Sequence, residues 1–289
     1  MSAATVAASR GHQVTLFEAA KEVGGQFNLA KVVPGKEEFH ETIRYFKVQI
    51  EKTGVDLRLN TKVNREQLER EGYDEVIVAT GVIPRGLKIE GSDAPQVLSY
   101  ADVLRGAPVG QKVAVIGAGG IGFDVSEYLL KPEHQPQPQP IADWKREWGV
   151  DPLANYMTEG GMQPAEVETP IRQIYLMQRK TTPLGAGLGK TSGWVHRAQL
   201  KKHAVRMLRG VQYKSVTDEG IWIENNGQDQ LLRVDTVVVC AGQESVKDIM
   251  PNEGESTLAR YHIIGGAKLA AELDAKRAIR EGAELAAKL

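Results

Sequence analysis

The sequence predicts an α/β protein of two dinucleotide-binding units, and three observations predict it. The apolar run Val113-Ala114-Val115-Ile116 breaks directly into Gly117-Ala118-Gly119-Gly120-Ile121-Gly122, with an amphipathic segment behind it. The run Asp74-Glu75-Val76-Ile77-Val78-Ala79-Thr80-Gly81 recurs almost letter for letter as Asp235-Thr236-Val237-Val238-Val239-Cys240-Ala241-Gly242, one strand-to-small-residue turn after each unit. Near the start, an Ala-rich helical stretch from Ser2 to Ser9 and a turn at Gly11 lead into Gln13-Val14-Thr15-Leu16-Phe17-Glu18, a β-rich run ending in an acid. That is the order of helix one and strand two in such a unit. Two unrelated buried strands remain the alternative for the repeated run, since Val/Ile-rich segments are common in parallel sheets.

An acid at the end of strand two accepts hydrogen bonds from an adenosine ribose, the role Glu18 fits; the alternative is a surface glutamate after an edge strand. The first strand and its glycine turn are expected upstream of Met1, so the first unit reads as incomplete at its N-terminus. Val23-Gly24-Gly25-Gln26 reads as a loop. Phe39, Ile43, Phe46 and Ile50 mark the core face of a helix ending at Gly54, and Asp56 to Val63 alternates as a strand. In the glycine motif, Gly117 permits the tight turn, Gly119 lets backbone amides approach a pyrophosphate, and Gly122 lets helix pack on strand. The positive end of the helix dipole then faces the anion. Ile121, Val125 and Leu129 give the helical spacing, and Pro132 stops it.

The residues from 131 to 171 exceed what a βαβ connection needs and read as an insert. It carries the polyproline-like run Gln135-Pro136-Gln137-Pro138-Gln139-Pro140, then Trp144 and Trp148 one helical turn apart, which dock the insert on its own domain or on a partner. After the strand Arg172 to Met177 comes Gln178-Arg179-Lys180 rather than an acid. A cationic pair there suits a ribose bearing a 2′-phosphate and so predicts NADPH; solvated basic residues are the alternative. The stretch Gly185 to Trp194 lacks Walker spacing and reads as a mobile loop over a cofactor or facing another domain. Tyr261 to Ala267 reads as a strand entering the Gly265-Gly266 turn, followed by one long helix with Leu269, Leu273, Ile279 and Leu285. The expected domains are 1–108, 109–243 with the insert, and a return over 244–289.

Composition narrows the function classes. A formal net charge of -1 supplies no global field for nucleic acid. No apolar run approaches the ~20 residues that cross a bilayer, and the first residues lack signal-peptide order, so the reading is a soluble cytosolic protein with neither nucleic-acid nor membrane partners. The single cysteine, Cys240, excludes an intrachain disulfide, a dithiol redox pair and a cysteine-ligated metal site, so no metal is expected.

In order, the acid-ended strand, Ala-Thr-Gly turn, Gly-Ala-Gly-Gly-Ile-Gly, Gln-Arg-Lys, Gly-Leu-Gly-Lys-Thr-Ser-Gly-Trp-Val-His-Arg, Ala-Gly-Gln, Ile-Gly-Gly-Ala and Ala-Glu-Leu-Asp-Ala-Lys-Arg-Ala-Ile resemble the C-terminal FAD and NADPH modules of bacterial-type NADPH-dependent 2,4-dienoyl-CoA reductases. The resemblance covers essentially the whole chain. It implies two Rossmann-like domains of the glutathione/thioredoxin reductase type, and hydride transfer from NADPH to FAD with no catalytic side chain. In that family electrons then pass through a 4Fe-4S cluster to FMN in an N-terminal TIM barrel, and both groups and the barrel would lie in a missing partner domain. Carried over by position, the resemblance gives Glu18, Gly25, Gln26, Lys36 and Val63 to the FAD nucleotide. It brings Ala79, Thr80, Gly81, Ala241, Gly242, Gly265 and Gly266 close to the cofactors, the last two at the flavin end. Gly117, Gly119, Gly120 and Gly122 would cradle the NADPH pyrophosphate, Arg179 and Lys180 its 2′-phosphate, with Lys190, Trp194 and Arg197 as looser candidates. Ser245 departs from the family, which usually has proline after Gln-Glu, and this puts the rigidity of that loop in question. A fragment of this kind is expected to be inactive on dienoyl-CoA by itself. The other class of reading is a nucleotide-binding module without independent catalysis, motivated by the absent FAD glycine turn.

Overall fold

Helix α1 (Ser2–Ser9) turns Ala3, Ala4 and Ala7 inward, and small side chains here let another helix approach closely. The computed structural model describes residues 1–130, 139–151, 161–167, 169–271 and 274–289. After α1 come β1 (Thr15–Phe17), the single-turn α2 (Phe27–Ala30) and α3 (Phe39–Lys52). Ile43, Phe46 and Ile50 are the buried stripe of α3, and Gly54 ends it at φ +70°, a conformation favouring glycine. Strand β2 covers only Asp56–Arg58, in parallel register with β1. The strand expected through Val63 stops early because Asn60 takes a left-handed φ of +52°, and Val63 instead packs, half-buried, beside Phe17 and Leu68. Helix α4 (Arg65–Glu71) is capped by Asn64, whose side chain accepts from Gln67 N–H; β3 (Glu75–Val78) and β4 (Val82–Pro84) complete this stretch.

Contacts divide the chain into two units. One comprises Met1–Ala30, Glu38–Arg85 and Gly242–Leu289, the other Lys31–Glu37 and Gly86–Ala241. The second unit opens with β5 (Val97–Ser99) and α5 (Tyr100–Leu104), joined by a capping box in which Ser99 and Asp102 bond reciprocally. Next come β6 (Lys112–Ile116), α6 (Gly120–Leu130), α7 (Ile141–Trp148), β7 (Gln173–Met177), α8 (Gly193–Lys202) and β8 (Arg206–Leu208). An antiparallel meander, β9 (Gln212–Thr217), β10 (Gly220–Asn225) and β11 (Gln228–Leu232), precedes β12 (Thr236–Val239). The parallel sheet runs β5-β12-β6-β7-β8, and its central strands are buried, as the continuous Val/Ile runs require. The meander, which the pattern reading passes over, packs Val216, Ile221 and Ile223 onto Ala114, Ile116 and Val237 of that sheet. Helix α8 begins at Gly193, so Gly193 and Trp194 of the expected loop are helical.

Residues 135–138 of the Gln-Pro run lie outside the described residues. Beyond them, the insert is fastened by a buried acid. Glu147 accepts from Gln139 Nε2 (2.8 Å) and Gln199 Nε2 (2.8 Å) and pairs with Lys202 Nζ (3.2 Å). Burial opposes its ionisation, but the donors from Gln199, Gln139 and Lys202 prevail and hold the carboxyl at about 2. Lys202 also lies 4.3 Å over the Trp148 ring, so Trp148 docks within its own unit, while Trp144 stays exposed.

The chain returns through β13 (Gln243–Ser245), antiparallel to β4, and β14 (Arg260–Ile263), parallel to β3. The long helix expected after the glycine turn is two: α9 (Gly265–Lys268) and α10 (Ala275–Ala286). Leu269 is extended and exposed, and Asp274 starts a new helix by accepting from Arg277 N–H at 2.6 Å; Leu273 lies outside the described residues. Gly282 of α10 meets α1 so closely that an added Cβ would lie 3.1 Å from Ala3 N. Among the described residues no helix is long and apolar enough to cross a membrane, and no His/Cys/Asp/Glu group could hold a metal ion.

Candidate nucleotide-binding sites

The second unit builds its turn at the carboxyl end of β6. Gly117 adopts φ +106°, its N–H donates to Met177 O at 2.8 Å, and a Cβ there would lie 2.3 Å from Cys240 O. Gly122 is equally constrained, because a Cβ would come within 1.8 Å of Gly117 O. Gly119 and Gly120 differ: nothing lies within 4 Å of a Cβ at either. Two glycines therefore hold the turn against the sheet, and two keep open the face from which amides of the α6 N-terminus point outward. That cradle fits a pyrophosphate. Ala241 follows Cys240 at the end of the neighbouring β12, and Arg179 and Lys180 stand exposed at the end of β7, so the register gathers all three groups at one sheet edge. Cys240 is wholly buried, and burial pushes its thiol far up, which removes it from thiolate chemistry.

Around α6 lie side chains that the motif reading does not assign. Lys36 Nζ pairs with Asp124 Oδ2 at 2.5 Å, and His196 Nδ1 meets Glu127 Oε1 at 2.8 Å. The hydrogen bond to Glu127 raises the His196 pKa against the opposing effect of burial, and the charge of Asp124 adds to the rise. Lys36 thus belongs to the second unit, on a carboxylate of the glycine-turn helix. Arg197 Nη1 donates to Gly185 O at 3.1 Å, fastening the glycine-rich segment, whereas Lys190 and Trp194 are exposed.

In the first unit, the turn after β3 and the turn after β14 are brought together. Val78 pairs with Ile263, Val246 N–H donates to Gly81 O at 3.0 Å, and Thr80 Oγ1 donates to Val246 O. Ser245 Oγ donates to Gly266 O at 2.6 Å, so this serine cross-links the loop whose rigidity its presence put in question. Gly265 N–H is taken by Glu281 Oε2 at 2.6 Å. Glu18 directly follows β1, where Oε1 accepts from Ala20 N–H at 2.9 Å. Gly25 (φ +51°) and Gln26 lie in the turn entering α2, and Gln26 Nε2 is 3.4 Å from Val82 O. Gly242 takes φ +108° at the start of β13. No single sequence signal marks Glu281 or Asp124, because their partners are remote in the chain.

Strand, glycine turn and helix in this order define a dinucleotide-binding unit. The chain belongs to the pyridine nucleotide-disulphide oxidoreductase family, which it matches over residues 1–264 and whose members bind FAD and NAD(P)H. It is 28% identical over 258 residues to a metal reductase of Desulforamulus reducens, covering 85% of this chain and 36% of that protein. With a cinnamate reductase of Clostridium sporogenes it shares 28% identity over 268 residues, covering 92% and 34%. A solved 2-naphthoyl-CoA reductase complex superposes with TM-score 0.78 at 25% identity, over 100% of this chain and 38% of that one. The chain thus spans about a third of the length of the curated relatives it matches.

Proposed function

We propose that this chain passes a hydride from NADPH to FAD and that, in a larger reductase, the electrons travel through a 4Fe-4S cluster and FMN in a barrel domain to reduce a 2,4-dienoyl-CoA in fatty acid β-oxidation. The observation carrying this reading is the open cradle at Gly119 and Gly120, beside the exposed cations Arg179 and Lys180. Bound FAD would supply the acceptor for the nicotinamide hydride. The protein's part is alignment. Amides at the start of α6 hold the pyrophosphate, the cations grip the 2′-phosphate, and the turns at Ala79-Thr80-Gly81 and Gly265-Gly266 meet the FAD. No side chain is required as acid or base. Similarity to a 2-naphthoyl-CoA reductase supports a CoA thioester as the final substrate class.

Anaerobic rapid mixing of NADPH with FAD-reconstituted protein tests this: flavin absorbance bleaches, and an unchanged flavin spectrum sinks the proposal. A second reading, nucleotide binding without independent catalysis, is favoured by one observation. Gly265 N–H, expected to face the flavin end, is already satisfied by Glu281. Stoichiometric yellow flavin in the purified protein favours the enzyme.

A further inference from the structure

The end of β7 and the segment after β8 lie side by side. Met177 pairs with Leu208 in the last rung of the parallel ladder, and the hydrogen bonding continues beyond both strands. Gln178 N–H donates to Leu208 O (3.0 Å), Gly210 N–H to Lys180 O (3.0 Å) and Val211 N–H to Gln178 O (3.1 Å). These three bonds bracket Arg209 and set it across from Arg179 and Lys180. Gly210 makes the return possible at φ +69°. The loop is locked from within, because Gln178 Nε2 donates to Lys180 O (3.1 Å) and Thr182 O (2.6 Å). Arg179, Lys180 and Arg209 are all exposed, and among the described residues none of their side chains has a hydrogen bond or ion pair.

Three cations on one rim, none of them in an ion pair among the described residues, repel one another, which a phosphate would relieve. In a chain with 37 acids to 36 bases, such a rim is not a product of composition. We infer that Arg209 is a third cation of the 2′-phosphate site and a specificity-determining residue for NADPH over NADH. This rests on the NADPH reading above. Arg209 lies far from Arg179 in sequence, and only the β7–β8 register joins them, so no motif reports it. Its guanidinium can make a forked contact with a phosphate monoester, and Gln178 acts as a positioning residue by fixing the backbone that presents the other two cations.

Calorimetric titration of the flavin-free protein with 2′,5′-ADP and with 5′-AMP tests the inference, because the two ligands differ in the 2′-phosphate. In R209Q, 2′,5′-ADP should bind about tenfold more weakly while 5′-AMP is unchanged, since one charge-assisted contact is lost. R209K should recover part of the loss, and R233Q, a surface arginine elsewhere in the same unit, should behave as wild type. Equal weakening of both ligands in R209Q would make Arg209 structural and overturn the inference, as would an unchanged affinity for 2′,5′-ADP. A wild-type protein with no preference for 2′,5′-ADP over 5′-AMP would overturn the NADPH reading itself, and the Arg209 inference with it.

Discussion

The two units end their strands in similar small-residue turns but secure them by different means. In the second unit a continuous five-stranded parallel sheet fixes the turn, and backbone alone shapes it: Gly117 and Gly122 pack against carbonyl oxygens, leaving Gly119 and Gly120 open. In the first unit the strands form separate two-stranded ladders, β1-β2, β4-β13 and β3-β14. There the turns are tied by side chains, the hydroxyls of Thr80 and Ser245 and the carboxylate of Glu281. Backbone-shaped turns tolerate no added carbon. Side-chain-tied turns instead fail by degrees, about one hydrogen bond at a time.

That contrast can be broken most severely at Gly122. Gly122→Val places carbon where Gly117 O stands, so the second unit should lose more than about 4 kcal/mol or fail to fold, measured by chemical denaturation. A valine tolerated there would refute the backbone-shaped turn. Next is Glu147→Ala, which leaves Gln139 and Gln199 without their acceptor and Lys202 with only the carbonyl of residue 147, and should cost about 3–5 kcal/mol, with proteolytic cleavage of the insert as a second readout. In the first unit, Ser245→Ala should cost only about 1 kcal/mol, read from the same denaturation curves.

The smallest effect is a pH dependence. His196 binds its proton more readily folded than unfolded, because of its hydrogen bond to Glu127. The stabilisation is therefore complete below the ordinary value of 6.5 and fades as pH rises through the elevated folded value. Thermal midpoints should decline over that rise in the wild type and less so in His196→Gln. Equal slopes would remove His196 from the account.

What was legible in the sequence is what local pattern controls. The strand-turn-helix at Val113 to Leu130 follows from an apolar run, three spaced glycines and a helical stripe, all within one window. Local rules also misled. The alternation after Asp56 looked like a strand until the left-handed Asn60 ended it, and the run of Leu269, Leu273, Ile279 and Leu285 hid the break that Asp274 caps. Contacts spanning remote segments were invisible: Lys36 with Asp124, His196 with Glu127, and Ser245 with Gly266 join residues whose meeting depends on tertiary packing. The insert was visible as excess length, but its anchor was not, because a lone Glu147 between Trp144 and Trp148 reads as a solvated face.

The central claim, that the second unit takes NADPH through its glycine turn and the cations ending β7, is tested by titrating NADPH and NADH into the wild type and the Arg179→Gln/Lys180→Gln variant. The variant should lose several kcal/mol of NADPH affinity, each charge-assisted contact being worth about 1.5–3 kcal/mol, while NADH affinity holds. Equal losses for the two cofactors, or none for NADPH, would contradict it.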